Sequence, residues 1–290
     1  QYDRCVAHAC DSGSSLASPV THLALSGMGA RLTVCVGGPD AGPLQAAFDA
    51  AWSRCLIHIT SPGVEQGALQ LWWDKPVIAG QGRDDGRLRL SRDGSELASD
   101  NLAELMSAAT QAITHRLIQA QVGRLLLLHA GAVCHPVTGR ALVFVAEGGV
   151  GKTTLACTLG RHYGYLTDET VGIDADNRIL PYPKPLSLRT DAGWPKQETS
   201  PDALGLLYAH PGPTVARVII LARDPDAAEP RVRELGLLDA IQAIGPQSSS
   251  LYALPRGLHR LADLIEATGP VLEVTYAEAE SLLPMAADLI

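Results

Sequence analysis

The stretch from Leu142 to Thr154, LVFVAEGGVGKTT, constrains this chain more than any other. Leu142, Val143, Phe144 and Val145 form an apolar, β-prone run, a glycine-rich turn ends in Gly151-Lys152-Thr153, and helix formers continue to Leu159. Strand, loop, helix is the order that a phosphate-binding loop requires. Backbone N–H groups and the positive end of the helix converge on phosphate oxygens, the lysine reaches the outer phosphates, and the next hydroxyl ligates Mg2+. The expected ligand is ATP with Mg2+, held by Glu147, Gly148, Gly149, Val150, Gly151, Lys152, Thr153 and Thr154. The glycines let the main chain approach the nucleotide closely. Ala146 stands where the pattern usually has glycine, which is tolerable if that residue keeps a negative φ.

A chain of 290 residues can hold one large or two modest domains with a well-buried core. Its formal charge of −8 argues against broad contact with nucleic acid or an anionic membrane, although it leaves room for a local basic pocket. Only four lysines occur, at 75, 152, 184 and 196, and two of them fall in the central segment. No apolar run is long enough to span a membrane, and no basic-then-apolar leader follows Gln1, so no secretory signal is expected. None of the six cysteines forms a C-x-x-C pair. Cys134 and Cys157 sit in apolar settings, where a reduced, buried thiol is the default, and this fits a cytoplasmic protein. Cys5, His8 and Cys10 lack the second ligand pair that a metal clasp needs.

Residues 1–18 read as an arm without periodicity. Short strands are then expected at Ala30–Val36, Cys55–Thr60, Ala68–Trp73, Pro76–Ala79 and Arg87–Leu90, with a helix from Pro43 to Arg54. Trp72 and Trp73 would face opposite sides of their strand, which disfavours a shared stacking role. These elements make a small α+β module over 1–98, with no catalytic signature of its own. Asp100 or Asn101 can cap a helix to about Gln121, striped by Leu105, Met106, Ala109, Ile113 and Leu117 and ended by Gly123. This helix opens the second unit, 99–290.

In that unit Leu125–Leu128 reads as a buried strand ending at His129, and the phosphate-loop strand follows. Downstream, Gly164–Thr167 leads into Asp168 and Glu169, carboxylates placed to hold Mg2+ or to take a proton from an attacking hydroxyl. The stretch LPYPKPLSLR (Leu180–Arg189) is kept extended by its prolines. It presents Arg189 as a second charge for phosphate or carboxylate, and Lys184 as a weaker one. Asp191–Thr199 reads as a loop, Pro201–Tyr208 as a short helix and Val215–Ala222 as a strand. Helices are expected at Leu235–Ile244, Arg256–Ala267 and Ala277–Ala287, with a strand at Val271–Val274.

The segments LLLLHAGAV, GRALVFVAEGGVGKTTLA, LTDETVGID and PYPKPLSLR together resemble the HPr kinase/phosphorylase superfamily, over about residues 123–190. More closely they resemble its stand-alone serine kinases associated with lasso and other ribosomally made peptides. The resemblance implies a P-loop kinase core of the HPr kinase and phosphoenolpyruvate carboxykinase-like type, an α/β fold. By motif it implies Asp168 as general base with His129 beside it, Lys152 on the phosphates, Thr153, Asp168 and Glu169 around Mg2+, and Arg189 on the transferred phosphoryl group. This chain has Thr153 and Glu169 where HPr kinases carry Ser and a second Asp, and it lacks their glycine-rich segment after the arginine.

The expectation is therefore a Mg2+-dependent kinase that uses ATP and acts on a Ser or Thr hydroxyl of a peptide or protein, such as a natural-product precursor peptide. Two alternatives share the loop: a kinase of a small-molecule alcohol, and a nucleotide-binding regulator that does not turn over. An open groove beside the loop would favour a peptide, and a closed cavity a metabolite.

Overall fold

The computed structural model describes residues 20–38, 41–57, 69–73, 88–92, 95–99, 101–190 and 193–290. The expectations for the N-terminal arm, for Cys5, His8 and Cys10, for the strand at 76–79 and for the side chains of Trp72 and Trp73 lie outside the described residues.

The chain builds a mixed α/β structure. Its first sheet contains β1 (Thr21–Gly27), β2 (Ala30–Gly37), β3 (Leu56–Ile57), β4 (Leu69–Trp73), β5 (Leu88–Arg92) and β6 (Ser95–Ser99) in the order β3-β1-β2-β4-β5-β6. Met28 and Gly29, both at positive φ, close the β1–β2 hairpin. Helices α1 (Ala41–Ala51) and α2 (Leu102–Gln121) accompany this sheet, and Leu44, Phe48 and Trp52 bury the face that their spacing foretells. Asn101 caps α2, its Oδ1 accepting from the backbone N–H groups of Ala103 and Glu104. Leu105, Ile113 and Leu117 of α2 are buried in one cluster with Leu25, Phe48 and Trp52, each contributing roughly 2 kcal/mol relative to exposure.

Three further sheets follow. Strands β7 (Leu126–Leu128), β8 (Ala130–Cys134), β9 (Arg140–Val145), β10 (Gly164–Thr167), β11 (Val171–Ile173), β12 (Ile179–Leu180), β13 (Leu186–Leu188), β14 (Gln197–Thr199), β15 (Thr214–Arg223), β16 (Arg231–Glu234), β17 (Ser248–Ser249) and β18 (Leu272–Tyr276) supply them. The largest is six-stranded and mixed, ordered β10-β8-β9-β15-β18-β16. A four-stranded sheet, β12-β11-β7-β17, lies beside it, and β13 pairs with β14. The helices are α3 (Lys152–Gly160), α4 (Leu237–Ile244), α5 (Gly257–Thr268) and α6 (Leu283–Leu289).

Strand β9 runs antiparallel to β8, and so does β10, so β9 and β10 point the same way and end at the same edge of the sheet. Parallel pairing of β9 with β15 and of β15 with β18 brings the end of β18 to that edge too. Strand β8 begins there, with Ala130 opposite Val145. The chain also changes sheets at this edge twice, from β7 to β8 through His129 and from β10 to β11 through Asp168-Glu169-Thr170. A backbone bond from Ala130 N–H to the Glu169 carbonyl, 3.1 Å, locks the two corners together.

Some expected elements differ. Residues 201–208 form turns instead of a helix: Gly205 takes a positive φ, and the carbonyls of Leu206 and Leu207 accept from Arg54. The helix expected over 277–287 is a 3-10 turn at Ala279–Leu282 followed by α6, with Pro284 in the first turn, where its missing N–H costs nothing. Part of the 191–199 loop becomes β14. Cys35, Cys55 and Cys134 are buried free thiols; burial pushes the Cys55 thiol up to about 12, so it stays protonated and inert. Among the described residues no helix is long and apolar enough to cross a membrane.

Candidate functional site

The glycine-rich loop leaves β9 at Ala146 and enters α3 at Lys152. Gly149 has φ +88° and Gly151, the residue before the helix, φ +112°, a region that other residues enter only with strain. A Cβ at Gly148 or Gly149 would meet no atom within 4 Å, so the loop faces open space. Glu147 and Thr154 are exposed and Val150 is half-buried. From the end of β18 the Tyr276 hydroxyl donates to the Val150 carbonyl, 3.2 Å.

Lys152 is only 7% exposed, and its Nζ donates to the carbonyls of Ala146 (2.5 Å) and Glu147 (2.9 Å). Burial pulls its pKa below the usual lysine value, opposed by Asp168, Glu169 and Glu147. The ammonium is thus held against its own loop.

Across the edge, the Thr153 hydroxyl donates to Asp168 Oδ2 at 2.8 Å. Asp168 is 4% exposed, and its Oδ1 takes the Tyr165 hydroxyl at 3.2 Å and the Lys184 ammonium at 3.0 Å. Burial raises the Tyr165 pKa well above the ordinary phenol, with the neighbouring Asp168 adding to it, so Tyr165 serves only as a donor here. Lys184 Nζ also pairs with Glu169 Oε2 at 3.1 Å and donates to the Pro185 carbonyl at 3.0 Å. Its side chain is 1% exposed. Burial works against its charge, but the carboxylates of Asp168 and Glu169 outweigh that and hold its pKa above the usual value. Glu169 itself keeps 35% of its side chain in solvent.

His129 joins this edge half-buried, its N–H bonded to the Gln247 carbonyl at 2.6 Å. Burial lowers its pKa, the nearby Lys152 charge lowers it further, and Glu169 and Asp168 oppose both. The ring is therefore set to be neutral near pH 7.

Lys152, Thr153, Asp168, Glu169, His129 and Lys184 thus converge. Arg189 does not join them: it is exposed just beyond β13 and makes no hydrogen bond or ion pair among the described residues. The sequence ranks Arg189 above Lys184 as a charge on this ribbon, whereas the structure buries Lys184 at the centre. Alternation along the extended ribbon explains this. Tyr182 and Lys184 face inward together, Tyr182 anchored to Thr114 of α2 by a 2.9 Å hydroxyl contact. Tyr165 and Tyr276 carry no signal in the sequence, because their hydroxyls acquire partners only in the folded sheet.

The donor set suits Mg2+. Thr153, Asp168 and Glu169 offer hard oxygens at the mouth of the loop, and Mg2+ is commonly held by one or two carboxylates together with substrate phosphates. Among the described residues no three His, Cys, Asp or Glu side chains gather in metal-holding geometry, so protein ligands alone do not complete a cage. A cleft of about 670 Å3 lies elsewhere, lined by Ser250, Tyr252, Arg256 and neighbours, and shares no residue with this site.

The chain matches no protein-family model and no curated protein sequence. Among solved structures it is similar to the Hpr(Ser) kinase/phosphatase from Coxiella burnetii, at 14% identity over 56% of this chain and 92% of that one, with a TM-score of 0.30. A likeness of that size carries no argument about activity.

Proposed function

We propose that this chain is a Mg2+-dependent kinase that transfers the γ-phosphoryl group of ATP to a hydroxyl, and that residues 99–290 are a P-loop kinase core of the HPr kinase-like type carrying the small module 1–98. The observation that carries the reading is the 2.8 Å bond from Thr153, the hydroxyl after the loop lysine, to Asp168, a buried carboxylate at the same sheet edge. A phosphate loop alone binds; a loop joined to a carboxylate can also manage a metal and a proton.

In this reading Lys152 exchanges its loop carbonyls for the outer phosphates, and the helix N-terminus and loop N–H groups cradle the rest. When bound, Mg2+ neutralises charge on the phosphates, with Thr153, Asp168 and Glu169 on its protein side. The acceptor oxygen forms its bond to the γ-phosphorus as the bond to the ADP oxygen breaks, and the hydroxyl proton passes to Asp168. His129, neutral and adjacent, orients this pair. Arg189 reaches the transferred group from the rim.

The acceptor is a Ser or Thr of a peptide or protein, for which the ribosomal-peptide resemblance names a precursor peptide; the compartment is the cytoplasm. Incubation of the purified chain with Mg2+-ATP and hydroxyl-bearing peptides or alcohols, read by mass spectrometry, tests this. A phosphopeptide lost in Asp168→Asn supports it. A phosphorylated small alcohol would move the acceptor class. Nucleotide binding without transfer to any acceptor would replace the kinase with a regulator.

A further inference from the structure

Lys184 carries the most deeply buried charge among the described residues. Lys184 Nζ sits 3.0 Å from Asp168 Oδ1 and 3.1 Å from Glu169 Oε2, with its side chain 1% exposed. Moving an ammonium and a carboxylate out of water costs several kcal/mol per ion, so the arrangement persists only because the charges face one another at hydrogen-bond distance. The prolines on either side of Lys184 and the buried Tyr182 fix the ribbon that delivers it, so the charge cannot swing away as a surface lysine would.

The geometry points to Lys184 as a tethered cation that fills the Asp168–Glu169 pair and makes divalent-metal binding conditional on nucleotide. The inference rests on the reading of Thr153, Asp168 and Glu169 as the Mg2+ side of a nucleotide site. Two carboxylates adjacent in sequence and in space would by themselves attract a divalent cation, or repel one another. Lys184 supplies one positive charge at their shared side, which balances half of the pair and occupies one oxygen of each residue. What remains, Asp168 Oδ2 with the Thr153 hydroxyl and one Glu169 oxygen, is too small and too weakly charged to dehydrate Mg2+ alone. Phosphate oxygens complete the set, so metal loads together with ATP. Lys184 is a positioning residue in this scheme: it touches the two carboxylates and no reacting atom.

Mn2+ binding by the full chain, followed by the EPR signal of the free ion, tests this without any acceptor. In the absence of nucleotide, wild type and Lys184→Arg are expected to bind Mn2+ weakly, and Lys184→Met about tenfold more tightly or better, as expected for removing one close charge at a partly shielded site. Adding the non-hydrolysable analogue AMP-PNP should tighten Mn2+ binding in wild type and have less effect in Lys184→Met. A Lys184→Met affinity no higher than wild type, or a Lys184→Arg affinity equal to that of Lys184→Met, overturns the proposal. Should Lys184→Met fail to fold by circular dichroism, Lys184→Gln decides, because it keeps hydrogen-bond donors for the carboxylates without the charge: it too should bind Mn2+ more tightly than wild type in the absence of nucleotide, and an affinity no higher than wild type overturns the proposal. Failure of the nucleotide-site reading shows differently, as no AMP-PNP binding by any variant, and leaves the nucleotide-free comparison intact.

Discussion

The hydroxyl of Tyr276, at the end of the strand that pairs with β15, donates to the carbonyl of Val150 in the middle of the glycine-rich loop, 3.2 Å away. Two segments more than a hundred residues apart in sequence are thereby fixed to one another at the sheet edge. Tyr276→Phe keeps the buried ring, which is 2% exposed in the native chain, and removes only this bond. Nucleotide affinity should fall about fivefold, the equivalent of roughly 1 kcal/mol, with a small drop in melting temperature. Titration calorimetry with ATP checks it; unchanged affinity would mean that the loop holds its shape unaided.

Gly151 is the sharper case. Its φ of +112° excludes a side chain without strain, and a Cβ there would lie 3.1 Å from the Tyr276 hydroxyl. Gly151→Ala should cost about 1–2 kcal/mol of folding stability and reduce nucleotide binding tenfold or more, because the loop must turn its N–H groups away. Gly148→Ala has open space around it and should cost far less stability, so comparing the two melting curves isolates the backbone effect.

Asp168→Asn should lower phosphoryl transfer by about a thousandfold while leaving the loop able to bind nucleotide. It also leaves Lys184 with one carboxylate in place of two, so a stability loss of about 3 kcal/mol is expected, seen as a fall of several degrees in the melting temperature. Arg189→Ala is the control for charge without burial. Its side chain is exposed and unpaired among the described residues, so stability should stay within about 0.5 kcal/mol while turnover falls. Turnover equal to wild type would remove Arg189 from the site.

The pH dependence follows from His129. Its folded pKa is held below the ordinary value by burial and by Lys152, so the unfolded chain binds the proton first as the solution is acidified. Stability from this group is complete above about pH 6.5 and is lost as pH falls through that value toward the folded pKa. Denaturant titrations at pH 7.5 and 5.5 should show a loss that is smaller in His129→Gln. An equal loss in both would assign the acid sensitivity to other groups.

Arg54 ties the end of α1 to the loop at 202–208. It donates to Asp202 (Nε to Oδ1, 2.9 Å) and to the Leu206 and Leu207 carbonyls, and its guanidinium lies 4.0 Å from the centre of the Tyr208 ring. The Arg54 side chain is 3% exposed, so Arg54→Ala removes its charge-assisted bonds to Asp202 and to the Leu206 and Leu207 carbonyls together with its packing, and should destabilise by about 2 kcal/mol. Arg54→Lys should recover only part of it, since an ammonium cannot serve the carboxylate and both carbonyls at once. Thermal unfolding of the two variants checks the order.

The local units are legible in the chain without its fold. The strand-loop-helix at Leu142–Thr154, the α2 stripe with its Asn101 cap and the buried run at Leu126–Leu128 are readable because short-range chemistry governs them: apolar periodicity, a capping side chain, glycines where φ must be positive. Strands β1, β8 and β16 were not legible, because their pairing partners, and not their own composition, make them strands. The Pro201–Tyr208 helix failed for a related reason: its carbonyls are claimed by Arg54, from another element.

The site divides the same way. The candidate residues Lys152, Thr153, Asp168 and Glu169 are legible in the sequence, from the glycine-rich motif and the carboxylates that follow the next strand. Which of them meet was decided by the antiparallel placement of β8 between β9 and β10, which brings His129, the loop and the acidic pair to one edge. Only the tertiary structure could decide between Lys184 and Arg189. Both are cations on the same ribbon, and burial, a property of everything packed around them, makes one an internal counter-charge and leaves the other at the surface.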